Sequence, residues 1–562
     1  MSSPYAAKPW LKAYPPQVPP HLTYEDRPLY DLLVRSAERY GDSPATVFYG
    51  ARLTYRQLHE QARRVAAGLV RLGVRQGDRV AIMLPNCPQA VIAYYGALMA
   101  GAVVVMVNPL YMPRELRHQI GDSGARVMIA VDLAYPKVSQ LDLDHVIYTG
   151  LQDYMPVPLK WIAPLKLKPP RIAYGKGVMP WARLLEAEPI AEPVPVNPAE
   201  DLALLQYTGA TTGLPKGCML THRNLVANVV QTEAWLYKAK RGPELVTLAA
   251  LPFFHVYGMT TVMNFTIHMG GTMVLQPKFE ARESLKLIQK YRPSIFPGAP
   301  TMYVAINNFP EVQKYRLDSI EACISGAAPL PVEVQAEFER LTGGRLVEGY
   351  GLTETSPVTH ANPRVGKRIP GSVGLPYPGT DVRIVDLETG EDLPPGGEGE
   401  ILIRGPQVML GYWNRPEETR EVLKDGWLHT GDIGRMDDEG YLYIVDRKKD
   451  MIIAGGFNIY PREIDEVLYQ HPAVLEACAV GVPDPYRGET VKAFVVLKPG
   501  AQATEQEILE FCRERLAAYK RPRSVEFVPE LPKSTVGKVL RRVLAEQERQ
   551  KMEQKQKAAA AD

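Results

Sequence analysis

The densest chemistry in the sequence lies at Tyr207-Thr208-Gly209-Ala210-Thr211-Thr212-Gly213-Leu214-Pro215-Lys216-Gly217, directly after an apolar run at 202–205. Small residues let backbone N–H groups form an anion-binding concavity, hydroxyls add donors, and a lysine supplies a point charge. That combination suits a polyphosphate. It is not a Walker A loop, because Gly217 follows Lys216 where Ser or Thr is needed, and the glycine spacing differs. Taken alone, a Thr/Gly turn also reads as a plain flexible loop.

Four further motifs follow. In Glu348-Gly349-Tyr350-Gly351-Leu352-Thr353-Glu354 two glycines permit close approach of a planar ring, Tyr350 can stack on it, and Glu354 offers a hard oxygen ligand for Mg²⁺, the plain alternative being an exposed loop carboxylate. In Trp427-Leu428-His429-Thr430-Gly431-Asp432 the carboxylate can accept both hydroxyls of a ribose. Asp446-Arg447-Lys448-Lys449-Asp450, which runs on to Gly455-Gly456-Phe457-Asn458, sets Arg447 to donate to the same sugar or to a phosphate, against the alternative of a solvated turn. Leu531-Pro532-Lys533-Ser534-Thr535-Val536-Gly537-Lys538 ends a constrained loop on a single lysine.

These five motifs, in this order and spacing, resemble the adenylate-forming (ANL) superfamily of acyl-CoA synthetases, peptide-synthetase adenylation domains and firefly-type luciferases. The resemblance extends over about 54–542. Within the superfamily, Ala250-Leu251-Pro252-Phe253-Phe254-His255, Gly405-Pro406-Gln407-Val408-Met409-Leu410-Gly411-Tyr412-Trp413 and Gly455 to Pro461 look like bacterial long-chain fatty acid–CoA ligases. What the resemblance implies is ATP-dependent activation of a fatty acid to an acyl-adenylate, then transfer to coenzyme A. Other readings are a ligase for medium-chain or aryl acids and a non-enzymatic adenylate- or acyl-binding regulatory protein.

By the same resemblance, the catalytic set is Lys538, Glu354, Thr208 and Lys449. Thr208, Gly209, Ala210, Thr211, Thr212, Gly213 and Lys216 would hold the β- and γ-phosphates, with Thr208 and Glu354 near Mg²⁺. Ala210 departs from the usual glycine. Gly326, Ala327, Glu348, Gly349, Tyr350, Gly351 and Thr353 would border the nucleotide, and Asp432 and Arg447 the ribose. Lys538 would reach the carboxylate and α-phosphate. Rotation about Lys449 would then bring Gly455, Gly456 and Phe457 to the pantetheine of coenzyme A, while His255 would flank the acyl carboxylate. Gly298, Ala299, Ala327 and Ala328 are small enough to border an acyl tunnel, and backbone packing accounts for them equally well.

Positioning these groups requires a scaffold, and the periodicity supplies it. Leu58, Ala62, Val65, Leu69 and Leu72 recur at helical spacing after Thr54 and stop at Gly73, and short apolar runs at 80–84 and 103–107 alternate with helical stretches at 90–100 and 113–123. Strands alternating with helices predict α/β architecture with a mainly parallel sheet. Short β-like runs between 381 and 445 predict a small antiparallel, barrel-like layer. A mixed α+β pattern follows, so the expected division is a large 1–446 domain and a mobile 447–562 domain, hinged at 446–449, with a solvated helix over 544–557.

With 65 Lys and Arg against 63 Asp and Glu, the net charge of +2 excludes a global field for nucleic acid. The five cysteines lack C-x-x-C spacing, which argues against a disulfide framework or a zinc site and for the cytoplasm. The proline-rich start has no signal-peptide core. The longest apolar run, 98–107, reads as a buried strand and falls short of the roughly 18 residues of a membrane span. One acid-free segment, 154–185, interleaves Lys160, Lys166, Lys168 and Arg171 with Trp161, Leu165 and Trp181, and is either a solvated insertion or a peripheral contact with the anionic inner face of the membrane. A homodimer is left open. Fifty prolines and 45 glycines exceed the usual share of roughly 12% without reaching that of a disordered chain.

Overall fold

A computed structural model describes residues 3–208, 215–454, 457–484, 486–534 and 537–559. The helix Tyr55–Arg71 starts where the sequence marks it. Thr54 Oγ1 accepts from the Gln57 N–H at 3.3 Å, and Gln57 returns its side-chain oxygen to the Thr54 N–H at 3.0 Å, so two N-terminal donors are satisfied at once. Its apolar stripe packs on Pro88–Met99, which is buried on every face and therefore lies inside the sheet-and-helix core.

That core surrounds an eight-stranded sheet in the order Gly411–Tyr412, Gly217–Thr221, Leu202–Tyr207, Val103–Met106, Arg79–Met83, Val127–Val131, His145–Thr149 and Val178–Pro180. The last six are parallel, Gly217–Thr221 runs antiparallel to Leu202–Tyr207, and Gly411–Tyr412 runs antiparallel to Gly217–Thr221. Parallel strands covered on both faces need continuous apolar sequence, which is why Val103–Met106 and Val127–Val131 are buried throughout. The apolar run 98–107 is not one strand. It contains the end of Pro88–Met99, a turn at Gly101 with φ of 74°, and Val103–Met106.

A second sheet places Val246–Ala249, Thr272–Leu275, Pro44–Phe48 and Ala51–Thr54 on one flank. Through single-residue bridges at Ile295 it continues into Ala322–Ser325, Arg345–Gly351, Val358–Ala361 and Leu375–Pro376. Two chemically distinct stretches thus sit at strand ends: Tyr207 closes a strand of the first sheet with Thr208 directly after it, and Glu348 to Gly351 close a strand of the second.

The expected antiparallel layer is present. Asp381–Val385, Gly399–Arg404, Trp427–Met436 and Leu423–Lys424 pair in that order, and Leu442–Arg447 joins Trp427–Met436. Its core also takes Tyr5, Trp10 and Val18 from the N-terminal arm, so the chain's first residues brace a layer formed some 400 residues later. A smaller C-terminal unit holds Val474–Asp484 and Gly488–Leu497 as a long antiparallel pair, flanked by Ile452–Ala454 and Ser524–Phe527 and covered by the helices Pro461–Tyr469 and Glu505–Arg513. The tail forms a helix, Arg541–Ala559. The architecture is α/β with a large N-terminal and a smaller C-terminal domain.

In the acid-free segment a helix, Leu159–Leu167, forms despite Pro164 and buries none of its residues. Trp161 and Leu165 are 71% and 76% exposed. Trp181 departs from the expectation for this patch: it is buried, and its indole N–H donates to the Tyr154 hydroxyl at 3.2 Å. Among the described residues no helix is long and apolar enough to cross a membrane. All five cysteines are buried free thiols.

Candidate active site

The strand Arg345–Gly351 forms one wall of a cavity of about 720 Å³ between the two domains, within the usual range of roughly 300–1,000 Å³ for small-molecule sites. Glycine is required at 351, because a Cβ there would lie 2.0 Å from the Pro357 carbonyl oxygen. Tyr350 projects its hydroxyl to Asp432 Oδ2 at 2.6 Å, and Arg447 Nε lies 3.3 Å from Asp432 Oδ1. The last two residues are register partners on Trp427–Met436 and Leu442–Arg447, so the antiparallel pairing itself brings carboxylate and guanidinium together. Tyr350, assigned to stacking, is therefore also oriented by a hydrogen bond to Asp432. Ala327 completes the wall in a left-handed conformation with φ of 70°, a strained state for a non-glycine residue.

Lys538 enters this cavity from the C-terminal domain, on the residue after Gly537. Gly537 has φ of 78°, and a Cβ on it would meet Thr301 Oγ1 at 2.1 Å, so only glycine lets the loop approach the Pro300–Asn307 helix this closely. Burial pushes the Lys538 ammonium down to about 7, with Arg447 adding repulsion while Asp432 and Asp450 oppose it. His255 is pushed down to about 4, first by burial and then by the Lys538 charge, and its Nδ1 accepts from the Tyr257 N–H. It is a neutral imidazole within electrostatic reach of Lys538.

Glu348 is buried beside Gly349, and burial pushes its carboxyl up to about 7 against the opposing charge of Arg462. The carboxylate accepts from the Leu330 N–H at 3.2 Å.

The second group of residues does not line that cavity. Thr208 and Lys216 close the neck of their loop, with the Thr208 N–H on the Lys216 carbonyl at 3.0 Å and the Lys216 N–H facing Thr208 Oγ1 at 3.4 Å. Gly209, Ala210, Thr211, Thr212 and Gly213 lie outside the described residues. The Lys216 ammonium pairs with Glu418 and sits 5.1 Å from the centre of the Tyr412 ring. On the other side of that tyrosine, its hydroxyl donates to Glu354 Oε1 at 2.7 Å. Glu354 is not an exposed loop carboxylate: it is half-buried on the short turn Thr353–Thr355 and aimed by Tyr412.

Among the described residues no three His, Cys, Asp or Glu side chains converge as a metal cage. Mg²⁺ is commonly held by one or two carboxylates together with phosphate and water, so a single carboxylate aimed by Tyr412, the ring that also faces Lys216, fits that ion. Gly326 packs against the Tyr257 ring, which a Cβ would approach to 3.1 Å, rather than lining the cavity. Lys449 is on an exposed turn between Leu442–Arg447 and Ile452–Ala454. Gly455 and Gly456 lie outside the described residues, and of Phe457 only the backbone strand Phe457–Ile459 is described.

Sequence reasoning passed over Tyr412, Tyr257 and Arg462. Tyr412 lies within the Gly411-Tyr412-Trp413 stretch, but its partner Glu354 is 58 residues away, so nothing local marks the pairing. The Tyr257 hydroxyl donates to the Ile324 carbonyl at 2.6 Å, tying the segment after His255 to the strand that leads to Gly326. Arg462 has no sequence signal beyond its place after Pro461.

Comparison with known proteins places this geometry. The model of the AMP-binding enzyme family matches residues 33–413, and that of the AMP-binding enzyme C-terminal domain matches 463–538. A long-chain-fatty-acid–CoA ligase of Bacillus subtilis (strain 168) is 52% identical over 550 residues, covering 96% of this chain and 98% of the relative. One from Escherichia coli O6:H1 is 42% identical over 567 residues, covering 98% and 100%. Among solved structures, ATP-bound MatB from Rhodopseudomonas palustris is similar at a TM-score of 0.80 and 32% identity, covering 92% of this chain and 98% of that one.

Proposed function

The chain belongs to the AMP-binding enzyme family, and we propose that it activates a long-chain fatty acid with ATP and passes the acyl group to coenzyme A. A carboxylate resists attack by a thiol because its carbonyl is electron-rich and oxide is a poor leaving group. In the first step a carboxylate oxygen attacks the α-phosphorus of ATP, the bond to the β-phosphate breaks, and acyl-adenylate and pyrophosphate form. In the second the coenzyme A sulfur attacks the acyl carbon, its thiol proton is lost to solvent, and AMP leaves. No side chain becomes covalently attached, so the protein's contribution is positioning and charge stabilisation.

The observation that supports this reading most is the entry of Lys538 into the cavity walled by Tyr350, Asp432 and Arg447. Asp432 and Arg447 bind the ribose, and Glu348 to Gly351 border the adenine. Thr208 to Lys216 hold the β- and γ-phosphates. Thr208 and Glu354 would hold Mg²⁺, which would neutralise phosphate charge. Lys538 meets the carboxylate and α-phosphate, where negative charge favours its ammonium form. The boundary lies at 446–449, and rotation about Lys449 exchanges Lys538 for Gly455 to Phe457 at the second step. Through Leu159–Leu167 and its flanking lysines the chain touches the anionic inner face of the membrane, where its water-insoluble substrate resides.

Acid-dependent pyrophosphate exchange over medium-chain, long-chain and aryl acids, with and without coenzyme A, tests the substrate class. Exchange is greatest with long-chain acids, and net AMP release requires coenzyme A. Preference for an aryl or medium-chain acid overturns the substrate, and no AMP release with any acid overturns the enzyme. Lys538→Ala abolishes exchange yet spares thioester formation from supplied acyl-adenylate; equal loss of both half-reactions removes Lys538 from this role.

A further inference from the structure

The two domains meet at a buried guanidinium that the nucleotide motifs do not include. Arg462 is the second residue of Pro461–Tyr469, and its side chain is only 8% exposed. Nη1 donates to the Ile444 carbonyl at 2.7 Å, Nη2 lies 3.8 Å from Glu348 Oε1, and Nε donates to Glu466 Oε1 at 3.0 Å. Its backbone N–H donates to Asp446 Oδ2 at 2.9 Å. Glu466 belongs to the same helix, but Ile444 and Glu348 stand on the large domain, one on the strand that ends at Arg447 and the other directly before Gly349 and Tyr350.

From this geometry we infer that Arg462 is a positioning residue for adenylation, bolting the small domain onto Glu348 and the Ile444 carbonyl in the arrangement that places Lys538 in the nucleotide cavity. The inference rests on the reading that Lys538 serves the first half-reaction and that the small domain turns for the second. A buried carboxylate without a cation is strongly disfavoured, whereas one in contact with a guanidinium is tolerated. Docking buries Glu348 and supplies its cation in one movement, and withdrawal of Pro461–Tyr469 returns Glu348 to water. A contact made in one arrangement only shifts the population towards that arrangement by its differential free energy. The planar fork of arginine is what lets one side chain serve Ile444, Glu348 and Glu466 together, which a lysine's single nitrogen cannot match. Arg462 touches no reacting atom and acts through the docking of Lys538.

The test uses the full-length enzyme with Arg462→Met, Arg462→Lys, Glu348→Gln and the double variant Glu348→Gln with Arg462→Met. Three readouts are needed: acid-dependent pyrophosphate exchange, thioester formation from supplied acyl-adenylate, and fluorescence transfer between dyes on cysteines introduced at Lys286 and Arg513. The native thiols are buried and the two chosen sites exposed, so labelling can be directed. Arg462→Met lowers exchange about tenfold or more, leaves the thioester step within about twofold, and depletes the docked population, as expected for removing one partner of a buried pair. Arg462→Lys recovers part of both losses, and adding Glu348→Gln to Arg462→Met costs little more than either alone. Unchanged exchange and unchanged docked population in Arg462→Met overturn the bolt, as does equal loss of both half-reactions with the docked population intact. If Lys538→Ala retains exchange while Arg462→Met still depletes docking, the role of Lys538 fails and the bolt stands.

Discussion

Lys538 is a cation placed where burial disfavours a cation. Its environment holds the ammonium down to about 7, against an ordinary lysine value of about 10.4. Between those values the docked side chain binds fewer protons than an undocked one, so docking releases a proton and becomes more favourable as pH rises through that window. The reactive form towards an acylating reagent is the neutral amine. In the ligand-free enzyme the modification rate of Lys538, followed by peptide mass spectrometry, therefore levels off above about pH 7, whereas an ordinary exposed lysine side chain keeps gaining reactivity towards pH ~10. A Lys538 profile that inflects near 10 contradicts the buried setting. Bound ATP suppresses the reaction by restoring the ammonium and covering it. Tyr412 shows a different economy at the same scale: one ring accepts the Lys216 charge on its face and aims Glu354 with its hydroxyl.

Among the elements, Leu159–Leu167 draws little support from the core. None of its nine residues is fully buried, only Ala163, Pro164 and Leu167 being half-covered, and a helix this short is marginal in water without packing. Exposed Trp161, Ile162 and Leu165 stand among exposed Lys160, Lys166 and Lys168, an arrangement suited to an interface with apolar tails beneath and anionic headgroups around. Burying one such large side chain is worth about 1.5–3 kcal/mol, and each lysine near an anionic surface about 1 kcal/mol. Replacing Trp161 and Leu165 by serine thus weakens binding to phosphatidylglycerol vesicles by about tenfold or more in a sedimentation assay, and added salt weakens the parent's binding. Pyrophosphate exchange with detergent-dispersed acid stays unchanged, because the helix contributes nothing to the core. Parent protein that ignores anionic vesicles at every salt concentration rules the contact out. Trp181 plays no part in this surface, being enclosed behind Tyr154.

At the scale of the molecule, two bodies share one cavity, and the chain between them passes through the turn at Lys448 to Asp450. Proline fixes φ near −65° and restricts the residue before it, so Lys449→Pro limits the backbone change available at that turn. Thioester formation slows more than pyrophosphate exchange in this variant, measured as separate half-reactions; uniform slowing removes Lys449 from the pivot. The large domain must meanwhile remain rigid. Its antiparallel layer, which carries Asp432 and Arg447, closes its core with Tyr5, Trp10 and Val18 from the opposite end of the chain.

The sequence by itself determined the chemistry and the local elements. Thr54 announces its helix, continuous apolar runs announce the parallel strands, and five ordered motifs name the groups proposed to handle nucleotide, because each of these depends on residues adjacent in the chain. Tertiary structure decided which of those groups meet. Asp432 faces Arg447 through strand register, Tyr412 aims Glu354 across 58 residues, and Arg462 reaches Glu348 across the interface between domains. Trp161 and Trp181 look alike in sequence, and only packing separated an exposed anchor from a core residue. Spacing along a chain encodes helix and strand, whereas burial, and with it the displaced titration of Lys538 and Glu348, arises from atoms that only the fold brings together.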